Sequence, residues 1–188
     1  MDVQNEFTHD KAEIRRRLLT RRSSAADKPV LSRRAVARLL PLLRGNVMIY
    51  VSIGSELDTS GLIDVLLGNS DIALFAPYTS KGAIVPLPVK KRGAADRFGN
   101  MPCDCYADGF DAVKAAAVKI DVCVTPLVGF DDSGYRIGYG MGCYDRFFSM
   151  CDAYKIGLAF DCQRCEFRHE SHDVPLDCCV TESKVIYF

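Results

Sequence analysis

Apolar positions in the first part of the chain recur at helical spacing. Residues 11–22 (KAEIRRRLLTRR) put Ile14, Leu18 and Leu19 on one stripe amid cations, which predicts a basic amphipathic helix. Asp27-Lys28-Pro29 reads as a helix start. A second helix is expected over 30–43, with Pro41 bending or ending it. After Gly45 the pattern changes. Residues 47–51 form a continuous apolar run, as expected of a strand buried on both faces. The polar stretch 52–59 follows, with Asp58 or Thr59 placed to cap a helix over 62–67. Residues 72–75 read as the next strand, ended by Pro77. Residues 84–89 carry Pro86 and Pro88, which confines them to a sheet edge or an extended excursion. A short alanine-rich helix is expected over 111–119 and a buried strand over 122–125. Later strands are expected over 155–160 and 185–188, the last at an edge. Strands alternating with helices predict one three-layer α/β/α domain over 1–188, built on a mainly parallel sheet. The two N-terminal helices should pack together on one side of that sheet, with residues 1–10 disordered.

Composition narrows the class. A chain of 188 residues with 48% hydrophobic and 26% charged positions suits one globular domain that buries roughly 70% of its unfolded surface. Formal net charge is zero, so neither a nucleic acid nor an anionic membrane is an expected partner. No apolar run approaches the ~20 residues that span a bilayer. The polar N-terminus lacks the apolar core of a signal peptide, so a cytoplasmic protein is expected. Nine cysteines, an odd number without an export signal, read mostly as reduced, small apolar residues. Cys162, Cys165, His169 and His172 have zinc-ligand chemistry, but the gap between the two pairs is far shorter than finger spacing.

The chemistry concentrates at residues 136–146, RIGYGMGCYDR. Gly138, Gly140 and Gly142 remove side chains from alternate positions, which lets backbone N–H groups approach an anion. A helix-like segment with Phe147, Phe148 and Met150 follows, and a glycine loop feeding a helix can cradle phosphate. The G-x-G-x-G spacing is neither a dinucleotide fingerprint nor a P-loop, and a glycine-rich turn without ligand is the bland alternative. Lys11 and Arg15, at i and i+4, project from one helix face, either as solvated charges or as cations for a polyphosphate. Ligands of such sheets bind beyond the carboxyl ends of the strands, so Glu56 and the glycine loop should meet at one rim.

Taken together, S-I-G-S-E-L-D-T (52–59), P-L-V-G-F-D-x-x-G-x-R-I-G-Y-G-x-G-x-Y-D-R-F (126–147), K-x-x-x-R (11–15) and H-D-V-P-L-D with V-T-E (172–182) resemble the 5-formyltetrahydrofolate cyclo-ligase family, also called methenyltetrahydrofolate synthetases. The resemblance implies ATP as co-substrate, Mg²⁺, and 5-formyltetrahydrofolate converted to 5,10-methenyltetrahydrofolate through a phosphorylated formyl group. It implies an ATP site of Lys11, Arg15, Arg136, Ile137, Gly138, Tyr139, Gly140, Met141, Gly142, Cys143 and Tyr144. Folate would meet Val51, Glu56 and the 139–143 segment (Tyr139, Gly140, Met141, Gly142, Cys143), with Glu56 accepting hydrogen bonds from the pterin. Asp145 and Asp173 would hold Mg²⁺, and no side chain is singled out as catalytic. The partners would be small molecules, and the protein a monomer. The chain departs from the family pattern at Met141 and at Cys143, where an aromatic is usual.

Two other readings stay open. One is a non-catalytic homologue that binds nucleotide or folate, supported by Met141 and Cys143. The other is a different small-molecule phosphotransferase, for which no Walker lysine stands out. For Glu56 the bland reading is an acid near a helix N-terminus, for Asp145 a first-turn acid, and for Asp173 a loop cap.

Overall fold

The computed structural model describes residues 10–108 and 118–188. Residues 1–9, and most of the helix expected over 111–119, lie outside the described residues. Helices α1 (Lys11–Ser23) and α2 (Lys28–Leu39) lead into strand β1 (Gly45–Ile49). Helix α3 (Ser60–Leu67), β2 (Ile72–Ser80), β3 (Ala83–Pro88) and β4 (Val122–Thr125) follow. The chain then forms a two-stranded ribbon, β5 (Gly129–Phe130) and β6 (Arg136–Ile137), before α4 (Cys143–Phe148), β7 (Tyr154–Leu158), β8 (Cys178–Val180) and β9 (Val185–Tyr187). The main sheet has the order β3-β2-β1-β4-β7-β8-β9. Its five central strands are parallel, and the edge strands β3 and β9 are antiparallel.

Period-two alternation assigns the side chains to layers. Val47, Ile49, Val124, Ile156 and Val180 point to one face, where Ala35 and Leu39 of α2 and Leu62, Ile63 and Leu66 of α3 cover them. Met48, Phe75 and Cys123 point the other way and meet Phe147 and Phe148 of α4. This is the mainly parallel α/β sheet expected from the strand–helix alternation. Pro41 ends α2 as expected: the chain tightens into a 3₁₀ turn over Leu40–Leu42.

The N-terminal pair packs differently from expectation. Only α2 lies on the sheet. The apolar stripe of α1, Ile14 and Leu18, instead packs against Val128 and Ile137 at the β5–β6 ribbon. Asp10 caps α1 by accepting from the Ala12 N–H at 2.9 Å.

Strand β2 also runs past its expected end. Pairing with β1 stops at Met48↔Phe75, so from there β2 is bonded only to β3. Pro77 faces Pro86, a pair that exchanges no N–H bonds and therefore suits a non-hydrogen-bonded position of an antiparallel ladder. Lys81 (φ 48°) and Gly82 (φ 78°) close the hairpin as a two-residue turn with both φ positive. Thr59 sits at the N-cap of α3, but its hydroxyl donates to the Tyr50 carbonyl at 2.9 Å. Asp58 accepts from the Ser60 N–H instead. No helix of the described residues is long and apolar enough to cross a membrane.

Leu39 is fully buried between α2 and the sheet. Leu39→Ala should lower unfolding free energy by about 2–5 kcal/mol, read from urea denaturation. An unchanged midpoint would contradict the packing described here.

Candidate functional site

Beyond the carboxyl ends of β1 and β4 lies a cavity of about 530 Å³. Its walls include Lys11 and Arg15 from α1, Val51 and Glu56 after β1, and the stretch from Arg136 in β6 to Asp145 in α4. The structure therefore brings Glu56 and the glycine loop to one rim. Arg97, Phe98, Glu170 and His172 also line it, whereas Asp173 does not and instead bonds the lining residue Lys11.

The loop conformation explains its glycines unequally. Gly140 (φ 98°) and Gly142 (φ 62°) occupy the left-handed region that L side chains avoid. A Cβ on Gly140 would meet the Arg15 guanidinium only in ordinary contact at 3.5 Å, so the backbone angle is what calls for glycine there. Gly138 has no such constraint, and a Cβ there would meet nothing within 4 Å. The loop carbonyls are engaged. Arg15 Nε donates to Gly138 O at 2.8 Å, and Arg146 Nη2 donates to Met141 O at 2.6 Å and to Gly82 O at 2.7 Å. The backbone N–H groups of residues 138–142 donate to no acceptor among the described residues. Those donors remain free for an anion.

At the other wall, Glu56 is 9% exposed. Its Oε2 accepts from the Ile53 N–H at 2.8 Å and its Oε1 from the Tyr139 hydroxyl at 2.8 Å. Burial pushes its carboxyl above the usual value, with the Ile53 and Tyr139 hydrogen bonds and the Arg22 charge opposing. Burial, then the Glu56 charge, pushes Tyr139 up to about 12. Tyr50 and Tyr144 are likewise held neutral, first by burial.

The expected phosphate and metal residues are already tied together. Burial disfavours the charge on Lys11, but hydrogen bonds to Asp173 at 2.9 Å and Glu170 at 3.0 Å outweigh it and raise the pKa. Arg136 gives Nη1 to the Val174 carbonyl at 2.7 Å and Nη2 to Asp145 Oδ1 at 3.0 Å, so both arms of its fork hold partners within the protein. Asp145 Oδ1 also accepts from the Val174 N–H at 3.1 Å. Met141 is 52% exposed at the rim. Cys143, partly buried, begins α4.

All nine cysteines are free thiols. Among the described residues no three His, Cys, Asp or Glu side chains gather as a metal site. His169 pairs with Asp131 and stacks on Tyr135, Cys165 packs beside Leu18, and His172 turns to Glu170.

Residues 7–182 match the 5-formyltetrahydrofolate cyclo-ligase family. The chain belongs to that family. A 5-formyltetrahydrofolate cyclo-ligase of Escherichia coli (strain K12) is 46% identical over 71 residues, and the match spans 36% of this chain and 39% of the relative. The Haemophilus influenzae protein of the same name is 29% identical over 143 residues, 70% of this chain and 72% of the relative. Among solved structures, the 5,10-methenyltetrahydrofolate synthetase of Aquifex aeolicus superposes with a TM-score of 0.76 at 26% identity, covering 94% of this chain and 92% of that one. The Mycoplasma pneumoniae synthetase shares the fold, with a TM-score of 0.69 at 24% identity over 92% of this chain and 99% of that one.

Two residues of this cyclo-ligase family member escaped the sequence reading. Arg22 reaches from α1 to the Tyr139 hydroxyl at 2.8 Å and is 2% exposed. It continues the buried stripe Ile14, Leu18 at a spacing of four, and a cation on an apolar stripe is the signal that could have found it. Arg146, the pin between the glycine loop and the β2–β3 turn, carried no comparable signal.

Glu56 supplies a pH test. Its native carboxyl holds a proton more tightly than the unfolded one, whose reference value is 4.5. Wild-type stability from this group is thus fully present below that value and is lost as pH rises through the native value. Glu56→Gln should therefore gain stability relative to wild type between pH 4.5 and 7.5, read from urea midpoints. A constant difference across that range would contradict the burial of the charge.

Proposed function

We propose that this chain is a 5-formyltetrahydrofolate cyclo-ligase that uses ATP and Mg²⁺ to form 5,10-methenyltetrahydrofolate, ADP and phosphate. The observation that carries this reading is the single cavity that joins the free amides and cations of the glycine loop to the buried Glu56 carboxylate. One end suits a polyphosphate and the other a heterocycle edge rich in N–H donors. Membership of the family, and the names of the relatives, support the same choice.

In this reading the formyl oxygen attacks the γ-phosphorus and ADP leaves. N10 then adds to the activated carbon, its proton passes to solvent, and the C–O bond breaks to release phosphate. The protein's task is chiefly to place the two substrates and to offset charge as the phosphoryl group transfers. The N–H groups of residues 138–142 would take the phosphate oxygens, with Arg15 contributing the guanidinium nitrogens that Gly138 O leaves free. Glu56 would accept from the pyrimidine edge of the pterin, beside the Val51 wall.

In this reading Asp145 and Asp173 would hold the magnesium ion. Asp145 Oδ2 and Asp173 Oδ1 have no hydrogen-bond partner among the described residues, and the Val174 N–H that bonds Asp145 lies next to Asp173 in the chain. Mg²⁺ asks for one or two carboxylates besides substrate phosphate, and when bound it neutralises phosphate charge.

Purified protein given Mg-ATP and 5-formyltetrahydrofolate should develop the near-ultraviolet absorption of the methenyl product, one per ADP formed. ATP binding without that signal would favour a folate- or nucleotide-binding homologue, and ADP formed only with another acceptor would favour a different phosphotransferase. Arg15→Ala should raise KM for ATP about tenfold or more and leave KM for folate nearly unchanged, the loss expected for a hydrogen bond to a charged group. An unaltered ATP dependence would remove Arg15 from the site. Glu56→Gln should weaken folate binding alone; an equal loss for ATP would indicate a general defect.

A further inference from the structure

Arg22 is a buried cation with three separate partners. Its Nε donates to the Ser55 hydroxyl at 3.0 Å, its Nη1 to the Leu127 carbonyl at 3.1 Å, and its Nη2 to the Tyr139 hydroxyl at 2.8 Å. Guanidinium has donors only. The Tyr139 oxygen must therefore accept from Arg22, and the one proton on that oxygen must go elsewhere. It goes to Glu56 Oε1 at 2.8 Å. The direction of this two-bond chain is set at the arginine.

The count of lone pairs on Glu56 follows. An ionised carboxylate offers about two acceptor sites per oxygen. Tyr139 fills one on Oε1, and the Ile53 N–H fills one on Oε2. One site per oxygen remains, on a carboxylate that lines the cavity. Two adjacent acceptors with internally fixed orientation match two adjacent N–H donors, the pattern of a 2-amino-4-oxo pyrimidine edge.

We infer that Arg22 is a positioning residue for folate recognition, which acts through Tyr139 to aim and preserve the two open acceptor sites of Glu56. This rests on the cyclo-ligase reading above and adds a determinant of folate affinity outside the cavity wall. Arg22 does not line the cavity, so its effect must be indirect. The charged and titratable groups around Glu56 are consistent with this role. Tyr50 and Tyr144 are held neutral by burial, so they bring no charge to Glu56, whereas Arg22 opposes the burial that favours its protonation. A protonated Glu56 would present a donor where the pterin also presents one.

The test is steady-state kinetics of Tyr139→Phe, Arg22→Gln and the double variant, with KM for 5-formyltetrahydrofolate measured from acid to neutral pH. Each single variant should raise KM for folate about tenfold and change KM for ATP less than about twofold. In the wild type KM for folate should rise as pH falls through the Glu56 value, and in both variants that rise should begin at higher pH. The double variant should lose no more than the worse single one, because both substitutions cut the same chain. Multiplied effects, equal losses for ATP and folate, or an unmoved pH profile in Tyr139→Phe would overturn the inference. If Arg22→Gln does not fold, Tyr139→Phe alone decides, since Tyr139 is 48% exposed and the substitution removes only the hydroxyl. Wild-type protein that forms no methenyl product would refute the cyclo-ligase reading itself. Normal wild-type turnover with unmoved variants would refute only the role of Arg22.

Discussion

Arg15 and Arg146 take the carbonyl oxygens of the glycine loop, one from α1 and the other from α4, the helix the loop feeds. A loop of bare backbone presents donors and acceptors alike, and an anion is repelled by the acceptors. With Gly138 O and Met141 O each turned to a guanidinium, the peptide planes beside them are oriented and the N–H groups of 138–142 are left over. The cradle is thus made by what holds the carbonyls, and glycine's conformational freedom only permits it. Everything else at the rim is arranged around that fixed strip of donors.

A second set of contacts fastens the carboxylates. Arg136, Asp145 and Val174 form a closed group in which both backbone polar atoms of Val174 are bonded. Lys11 holds Asp173 and Glu170, the two ends of the single turn just before Val174. The consequence is that charges of both signs stand next to the free amides without neutralising them. In the proposed reading, a triphosphate with its magnesium ion would bring both signs as well and could exchange partners with this cluster.

Much of the architecture was legible because a parallel sheet announces itself through unbroken apolar runs such as 47–51 and 122–125. What escaped was decided by neighbours. Pro77 looked like a strand end, yet β1 stops pairing at Phe75 and leaves the proline on an unbonded edge. The stripe of α1 fixed a buried face without saying what would bury it, and the answer was a four-residue ribbon too short to leave a periodic signal. Strand β8 is three residues, two of them cysteine, and carries no pattern of its own. At the site, the glycine loop, Glu56 and the two aspartates stood out as residue types. Their partners did not: whether Arg136 faces a ligand or Asp145 depends on where residue 174 returns, which local sequence does not encode.

The bond from Arg146 to Gly82 joins the glycine loop to the tip of the β2–β3 hairpin. Hairpin tips ordinarily tolerate inserted peptides and are the first places a protease cuts. Here the tip is tied to the glycine loop through Arg146, so an affinity tag or a nick at Lys81–Gly82 would reach the cavity rim as directly as a lesion inside it.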